Sequence, residues 1–377
     1  MKKHYRFSAP GRTEIGGNHT DHQYGCVLAA AVNLETVADV TLNDQNVILV
    51  QSEGYPVVQV DLTDLSVHEE EKNSTAALIR GVAAAFAERG AKLQGFNAVV
   101  KSTVLPGSGL SSSAAFEVLM GTICNELFFD GKLTAVEIAQ IGQQAENVYF
   151  GKPCGLMDQM ASSVGSMVFI DFEDPAQPRI EKIPFDLAKA GYALCIIDSG
   201  ADHADLTDEY AAIPGEMKKV CAFFGKEVLR QIPKAAFMEA LPELRITVSD
   251  RAVLRALHIY QENDRVVRQV EALKSGEMDT FLNLVKESGR SSWMYLQNIT
   301  PTGAVAHQEV AVALALCEDL LMGKGAYRVH GGGFAGTVQA FVPLEMLTDF
   351  CERIEKVLGA GSCHVLNIRE NGGIRIQ

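Results

Sequence analysis

No two cysteines in this chain are spaced as CxxC and no histidine falls at ligand spacing from one, so the eight cysteines read as reduced thiols and a structural zinc is not expected. Long apolar runs are missing too. No stretch approaches about eighteen uninterrupted apolar residues, and the opening MKKHYRFSAP lacks an apolar core, which argues against a membrane span or export signal and makes the cytoplasm the expected location. Basic charge is in deficit. Lys and Arg number 33 against 47 Asp and Glu, a formal charge of −14 that disfavours nucleic acid or an anionic membrane surface as a partner. A nucleotide is still admissible, because local N–H groups, a metal and a few cations decide that. Both common nucleotide fingerprints, the Walker A loop and GxGxxG, are absent, as are internal repeats and low-complexity tracts. A chain of 377 residues, 47% hydrophobic and 21% charged, is globular and long enough for two domains.

What the chain does contain is a glycine-serine loop running into a helix, VLPGSGLSSSAA at 104–115. Free N–H groups at a helix start carry the positive end of its dipole, so such a loop cradles phosphate without needing a lysine. Gly107 and Gly109 admit close backbone approach, and the hydroxyls of Ser111, Ser112 and Ser113 can cap the helix, bind phosphate oxygens or hold a metal. A second segment, APGRTEIGGNHTDHQYG at 9–25, gathers Arg12, Glu14, His19, Asp21 and His22 among glycines. That mixture suits a ligand with many hydroxyls, each needing a partner, although a solvated loop has a similar composition. A third, QQAENVYFGKPCGLMDQMASSVG at 143–165, sets Glu146 on a helix and Asp158 just past a turn, where it reads as a helix cap or a general base.

Together these segments resemble the GHMP small-molecule kinases and, within them, the galactokinases. GNHTDH at 17–22 is similar to the galactokinase Gly-Glu-His-Thr-Asp-Tyr run, 104–115 to the family's phosphate loop, 143–159 to its catalytic segment, and YRVHGGGFAGTVQAFVP at 327–343 to the third GHMP motif. The order is the family's, across residues 8–343. The resemblance implies an ATP- and Mg2+-dependent sugar 1-kinase with galactose as the leading substrate. Its partners are then a small-molecule sugar and ATP, with the oligomeric state left open. It implies Asp158 as base or orienting group beside the anomeric hydroxyl, with Arg12 next to it. Asn18, His19, Asp21, Gly155 and Tyr210 match sugar-contacting positions. Pro106, Gly107, Ser108, Gly109, Leu110, Ser111, Ser112 and Ser113 match the nucleotide loop, and Ser113 with Glu146 the magnesium ligands.

Local patterning gives strands over 27–50, 57–62, 96–103, 167–172 and 193–198. Helices are expected over 74–89, 111–129, 134–149, 252–275 and 304–322, the first capped by Ser74 and the third opened by the capping box of Thr134 and Glu137. Mixed strands and helices without regular alternation indicate α+β. The resemblance implies a two-domain GHMP kinase fold, a ribosomal-S5-like N-terminal domain over 1–180 and a ferredoxin-like C-terminal domain over 181–377.

Several positions depart from the galactokinase pattern. Asn18 replaces a glutamate that accepts from the sugar's C6 hydroxyl, Glu14 replaces an asparagine, His22 a tyrosine, His330 a threonine and Ala335 a glycine. The segment 73–82 also lacks the aromatic that usually stands near adenine. Asn18 makes a C6-altered pyranose such as galacturonate an alternative substrate, since an amide would not repel a carboxylate there. A sugar sensor that binds without catalysis is the alternative of another class, disfavoured by the presence of Arg12, Asp158, Ser113 and Glu146.

Overall fold

The computed structural model describes residues 3–104, 109–201 and 206–377. Among these, two sheets organise the chain. The first contains β1 (His4–Gly16), β2 (Cys26–Leu42), β3 (Val47–Ser52), β4 (Val58–Asp61), β5 (Phe96–Ser102), β6 (Met167–Asp171), β7 (Arg179–Lys182) and β12 (Ile374–Arg375). Its main path runs β12-β1-β2-β5-β3-β4. The long β2 is shared along its length: residues 26–30 pair with β6 and residues 36–42 with β5. The second sheet is antiparallel in the order β11-β8-β10-β9, from β8 (Tyr192–Asp198), β9 (Ala326–Val329), β10 (Thr337–Pro343) and β11 (Cys363–Leu366).

Helices α1 (Thr75–Glu88), α2 (Ser112–Phe128), α3 (Ala135–Gln144) and α4 (Met157–Val164) belong to the first half. The second half carries α5 (Thr207–Phe223), α6 (Lys234–Glu239), α7 (Leu241–Thr247), α8 (Asp250–Lys274), α9 (Met278–Ser291), α10 (Glu309–Leu321) and α11 (Leu347–Leu358). Local signals set several boundaries. Ser74 caps α1 through the Ala77 N–H, and the capping box of Thr134 and Glu137 opens α3. One apolar core joins β1, β2 and β6 to α8, α9, β8 and β10 across the two halves, with Phe281 edge-on to Phe341 at ring centroids 5.2 Å apart.

The structure bears on three readings of the sequence. The polar stretch around residue 180 contains β7, which pairs with β6, so the first sheet continues past that point, and β12 returns the C-terminus to the edge of β1. Helix α10 starts at Glu309 rather than 304. The segment at 9–25 is no solvated loop: its first half is buried strand, with bulges between Pro10 and Arg12 and between Glu14 and Gly16. Bulges re-aim side chains, and Arg12 and Glu14, two residues apart, both reach the cavity described next.

Candidate active site

Strand β1 brings Arg12 to the start of α4, where its Nε and Nη2 each lie 2.7 Å from an oxygen of Asp158. Such a two-point guanidinium–carboxylate contact fixes orientation as well as charge. Nη1 of Arg12 donates to the Gly109 carbonyl and its backbone N–H to the Leu110 carbonyl, tying the strand to the phosphate loop. Burial alone would raise the Asp158 carboxyl, but the Arg12 charge, its hydrogen bond and the Ser111 hydroxyl hold it below the usual carboxylate range. Asp158 sits in the first turn of α4 and caps nothing with its side chain. The base or orienting role, rather than the capping one, fits that geometry.

A cavity of about 210 Å³ opens onto this pair, lined also by Glu14, His19, Asp21, Gly155 and Gly332. Burial first, then the Asp158 charge, push the Asp21 carboxyl up to about 6. A Cβ at position 155 would collide with that carboxylate, which is why glycine is needed there. His19 and His22 face each other at 3.2 Å, and His19 also reaches the Gly332 carbonyl at 3.1 Å. Burial lowers His19 to about 3 and His22 to about 4, so both rings are neutral at pH 7. Tyr210 stands one layer behind this wall: its ring packs on Gly332, and its hydroxyl donates to the Gly333 carbonyl at 2.9 Å.

Asn18 does not reach the cavity. Its side chain is fully buried, with Nδ2 donating to Glu14 Oε1 at 3.1 Å and the Gly331 carbonyl at 2.7 Å, while Oδ1 accepts from Asn298 at 2.9 Å and Ser292 at 3.2 Å. Every polar atom of the amide is therefore occupied. Helix α8 holds the same turn from below, Glu262 accepting the Gly17 N–H and the His258 ring meeting the Asn18 carbonyl at 2.9 Å. The charge at the cavity wall belongs instead to Glu14, which is ion-paired with buried Arg328.

His330, from the glycine-rich third motif, is also a buried tie rather than a ligand. Its Nε2 accepts the Glu14 N–H at 3.2 Å, which leaves Nδ1 to donate to the Thr337 hydroxyl at 2.9 Å. Ala335 lies outside the left-handed region that Phe334 occupies (φ 58°), so the missing glycine there costs no backbone strain.

On the other side of the loop, Pro106, Gly107 and Ser108 lie outside the described residues. Gly109 (φ 70°) and Ser111 (φ 55°) turn the chain into α2, and a Cβ on Gly109 would sit 3.0 Å from the His330 ring. Ser111 makes no capping bond, contrary to one of the roles open to it. Ser112 and Ser113 line a second cavity of about 510 Å³ that also holds Leu78, Phe116 and Tyr55. Tyr55 and Phe116 give this cavity two aromatic side chains, where 73–82 offers none. Tyr55 went unnoticed in the sequence because it sits in a turn between β3 and β4, far along the chain from the loop it faces.

Ser113 Oγ lies 3.4 Å from Glu146 Oε1, and Glu146 is buried on a π-helical turn, Ala145–Phe150, that extends α3. Such turns recur where a side chain must be re-aimed at a functional site. Gln159 donates at 2.9 Å to both Glu146 and Glu117, two residues that periodicity alone would not have linked. Burial and the Glu146 charge push Glu117 well above the carboxylate range, and its Oε1 has no partner among the described residues. The loop helix thus separates a polyhydroxyl-sized cavity bearing a carboxylate–arginine pair from a larger cavity bearing hard oxygen donors.

Comparison with known proteins gives this arrangement its family. Residues 77–166 match the GHMP kinases N terminal domain, and residues 2–41 match the galactokinase galactose-binding signature. The chain is 32% identical to the galactokinase of Streptomyces coelicolor over 94% of its own length and 88% of that protein. The chain belongs to the galactokinase family. It is likewise 33% identical to the galactokinase of Actinobacillus pleuropneumoniae over 92% of this chain and 88% of that one. In fold it is similar to the crystal structure of Lactococcus lactis galactokinase complexed with galactose, with a TM-score of 0.82, 23% identity, and 98% of this chain and 94% of that one covered. As a galactokinase-family member it has the GHMP kinase fold and is a sugar kinase, a phosphotransferase that uses ATP and acts on a hydroxyl group. No helix among the described residues is long and apolar enough to cross a membrane.

Proposed function

We propose that this galactokinase-family chain transfers the γ-phosphoryl group of ATP to the anomeric hydroxyl of galactose. One observation carries the choice of sugar: the smaller cavity is lined by three carboxylates, of which Asp158 is paired with Arg12 and Glu14 with Arg328, while Asp21 has no ion-pair partner of its own among the described residues. A neutral polyhydroxyl ligand finds acceptors there, whereas a uronate would set its own charge among like charges. Asn18, the only residue that favoured galacturonate, is buried in a hydrogen-bonded network and offers it nothing. The sensor reading is disfavoured by the same cavity, in which Arg12 and Asp158 stand in register with the loop helix.

In this reading the sugar's anomeric hydroxyl lies against Asp158, which orients it and takes its proton as the new P–O bond forms. Arg12 keeps that carboxylate ionised and therefore a weak base, which suits a loose transition state with little nucleophilic assistance. Asp21 in its ionised form accepts two neighbouring sugar hydroxyls, and neutral His19 adds a contact without adding charge. The nucleotide occupies the larger cavity, its base against Tyr55 and Phe116 and its phosphates at the N-terminus of α2.

Hard oxygen donors in the form of a hydroxyl and a buried carboxylate fit Mg2+, and Ser113 and Glu146 are the residues that would hold it. When bound, the ion neutralises phosphate charge. Lys152, whose Nζ is 3.7 Å from Glu146, adds a cation at the same edge. A cytoplasmic setting, where ATP is supplied and thiols stay reduced, suits this reaction. The test is product analysis by phosphorus NMR after incubation with galactose, ATP and Mg2+. A sugar phosphate signal coupled to the anomeric proton is the expected product, and phosphorylation at another carbon, or none, contradicts the reading.

A further inference from the structure

Outside the active site, three thiols converge on one face of the second sheet. Cys195 on β8 stands opposite Val365 of β11, and Cys363 lies two residues before Val365, so both side chains project to the same side. Cys351 arrives from α11, beside buried Phe350 and three residues before buried Ile354, the side chains that seat that helix on the sheet. All three sulfurs lie within 4.8 Å of one another, and those of Cys351 and Cys363 are 3.4 Å apart. Ordinary core packing asks only for small apolar volume at each position and does not require that thiols from three separate elements meet.

The spacing matches a metal's requirement. Thiolate sulfur binds Zn2+ at about 2.3 Å, which puts two sulfurs of one tetrahedral site roughly 3.8 Å apart. Cys195 is buried, whereas Cys351 and Cys363 are half-buried, so two of the three thiols are partly open to an approaching ion. We infer that Cys195, Cys351 and Cys363 form a three-thiolate site for a thiophilic d10 dication of the zinc or cadmium type, stapling α11 to the β8–β11 edge. Binding forms three metal–sulfur bonds and releases three thiol protons, with no change of oxidation state.

Cadmium is the probe. The reduced, metal-free full chain, titrated with Cd2+ in a phosphine reductant, should develop the ultraviolet cadmium–thiolate charge-transfer band and saturate it at one equivalent, and Zn2+ should displace it. Cys195 is too deeply packed for a clean variant, so the half-buried ligands are changed instead. Cys351→Ser and Cys363→Ser should each weaken Cd2+ binding by at least ~100-fold, beyond the loss usual for a residue that only hydrogen-bonds a metal ligand, with sugar-kinase turnover unchanged. No band at one equivalent, or a saturating band that either variant retains, overturns the assignment.

Discussion

Asp158 owes its charge to Arg12, and its place beside the sugar cavity makes that charge the first thing to remove. Asp158→Asn keeps shape and hydrogen bonding but not basicity, so turnover should fall ~10²-fold or more while equilibrium sugar binding is roughly retained. Unchanged turnover would take Asp158 out of the mechanism. Asp21 sets the acid limb instead. Its carboxyl, raised from 3.8 to about 6 by burial and by Asp158, takes a proton as pH falls through 6, so galactose KM should rise below that value. The raised value also means that this group's contribution to stability falls as pH climbs from about 4 to 6, since the folded chain holds a proton the unfolded chain has released. Asp21→Asn should flatten the KM profile between pH 5 and 7; a profile still breaking near 6 would assign the limb to another group. At position 18 the sequence pointed the wrong way. Spacing identified Asn18 as a departure, but not that its partner is Glu14, four residues away and exchanged in type. Asn18→Glu buries a second carboxylate 3 Å from the first and should destabilise the fold by about 2–4 kcal/mol. Adding Glu14→Asn should recover about 1–3 kcal/mol of that, read from a denaturant double-mutant cycle. Strict additivity would show that the two positions are uncoupled.

Among the elements, α2 and the π-helical turn after α3 are the ones that the proposed function assigns to the nucleotide. Ser113→Ala should raise KM for magnesium-nucleotide while leaving galactose affinity, measured without nucleotide, nearly intact. Equal losses in both would mean that the helix start had collapsed. Tyr55→Ala should weaken ATP binding about tenfold, the effect of losing one stacked ring, and should not change galactose KM. An unchanged ATP affinity would place the base elsewhere. Elements with local signals were legible in the chain: the Ser74 cap, the Thr134–Glu137 box and the apolar run of β8. Strand β1 was not, because buried Arg12, Thr13 and Glu14 break the alternation that marks a half-buried strand. Strand β7 hid in a polar stretch, because only pairing with β6 defines it. The π-helical turn has no residue signature, and neither does the approach of Gln159 to Glu117 and Glu146.

For the molecule as a whole, motif order along the chain was enough to expect one phosphate loop, one catalytic carboxylate and one glycine-rich wall in a shared site. The ties between halves were not legible, because Glu14 with Arg328, and Asn18 with His258 and Asn298, are separated by hundreds of residues and share no short motif. Those ties fix what the cavity admits. Glu14, Asp21 and Asp158 make it an acceptor-rich site for neutral sugar, and that is the claim on which the functional reading turns. The direct test is kcat/KM of the unaltered chain for galactose and for galacturonate with ATP and Mg2+. Like-charge repulsion and unpaired acceptors worth about 3 kcal/mol or more predict a preference for galactose of at least ~100-fold, and comparable values for the two sugars would contradict it.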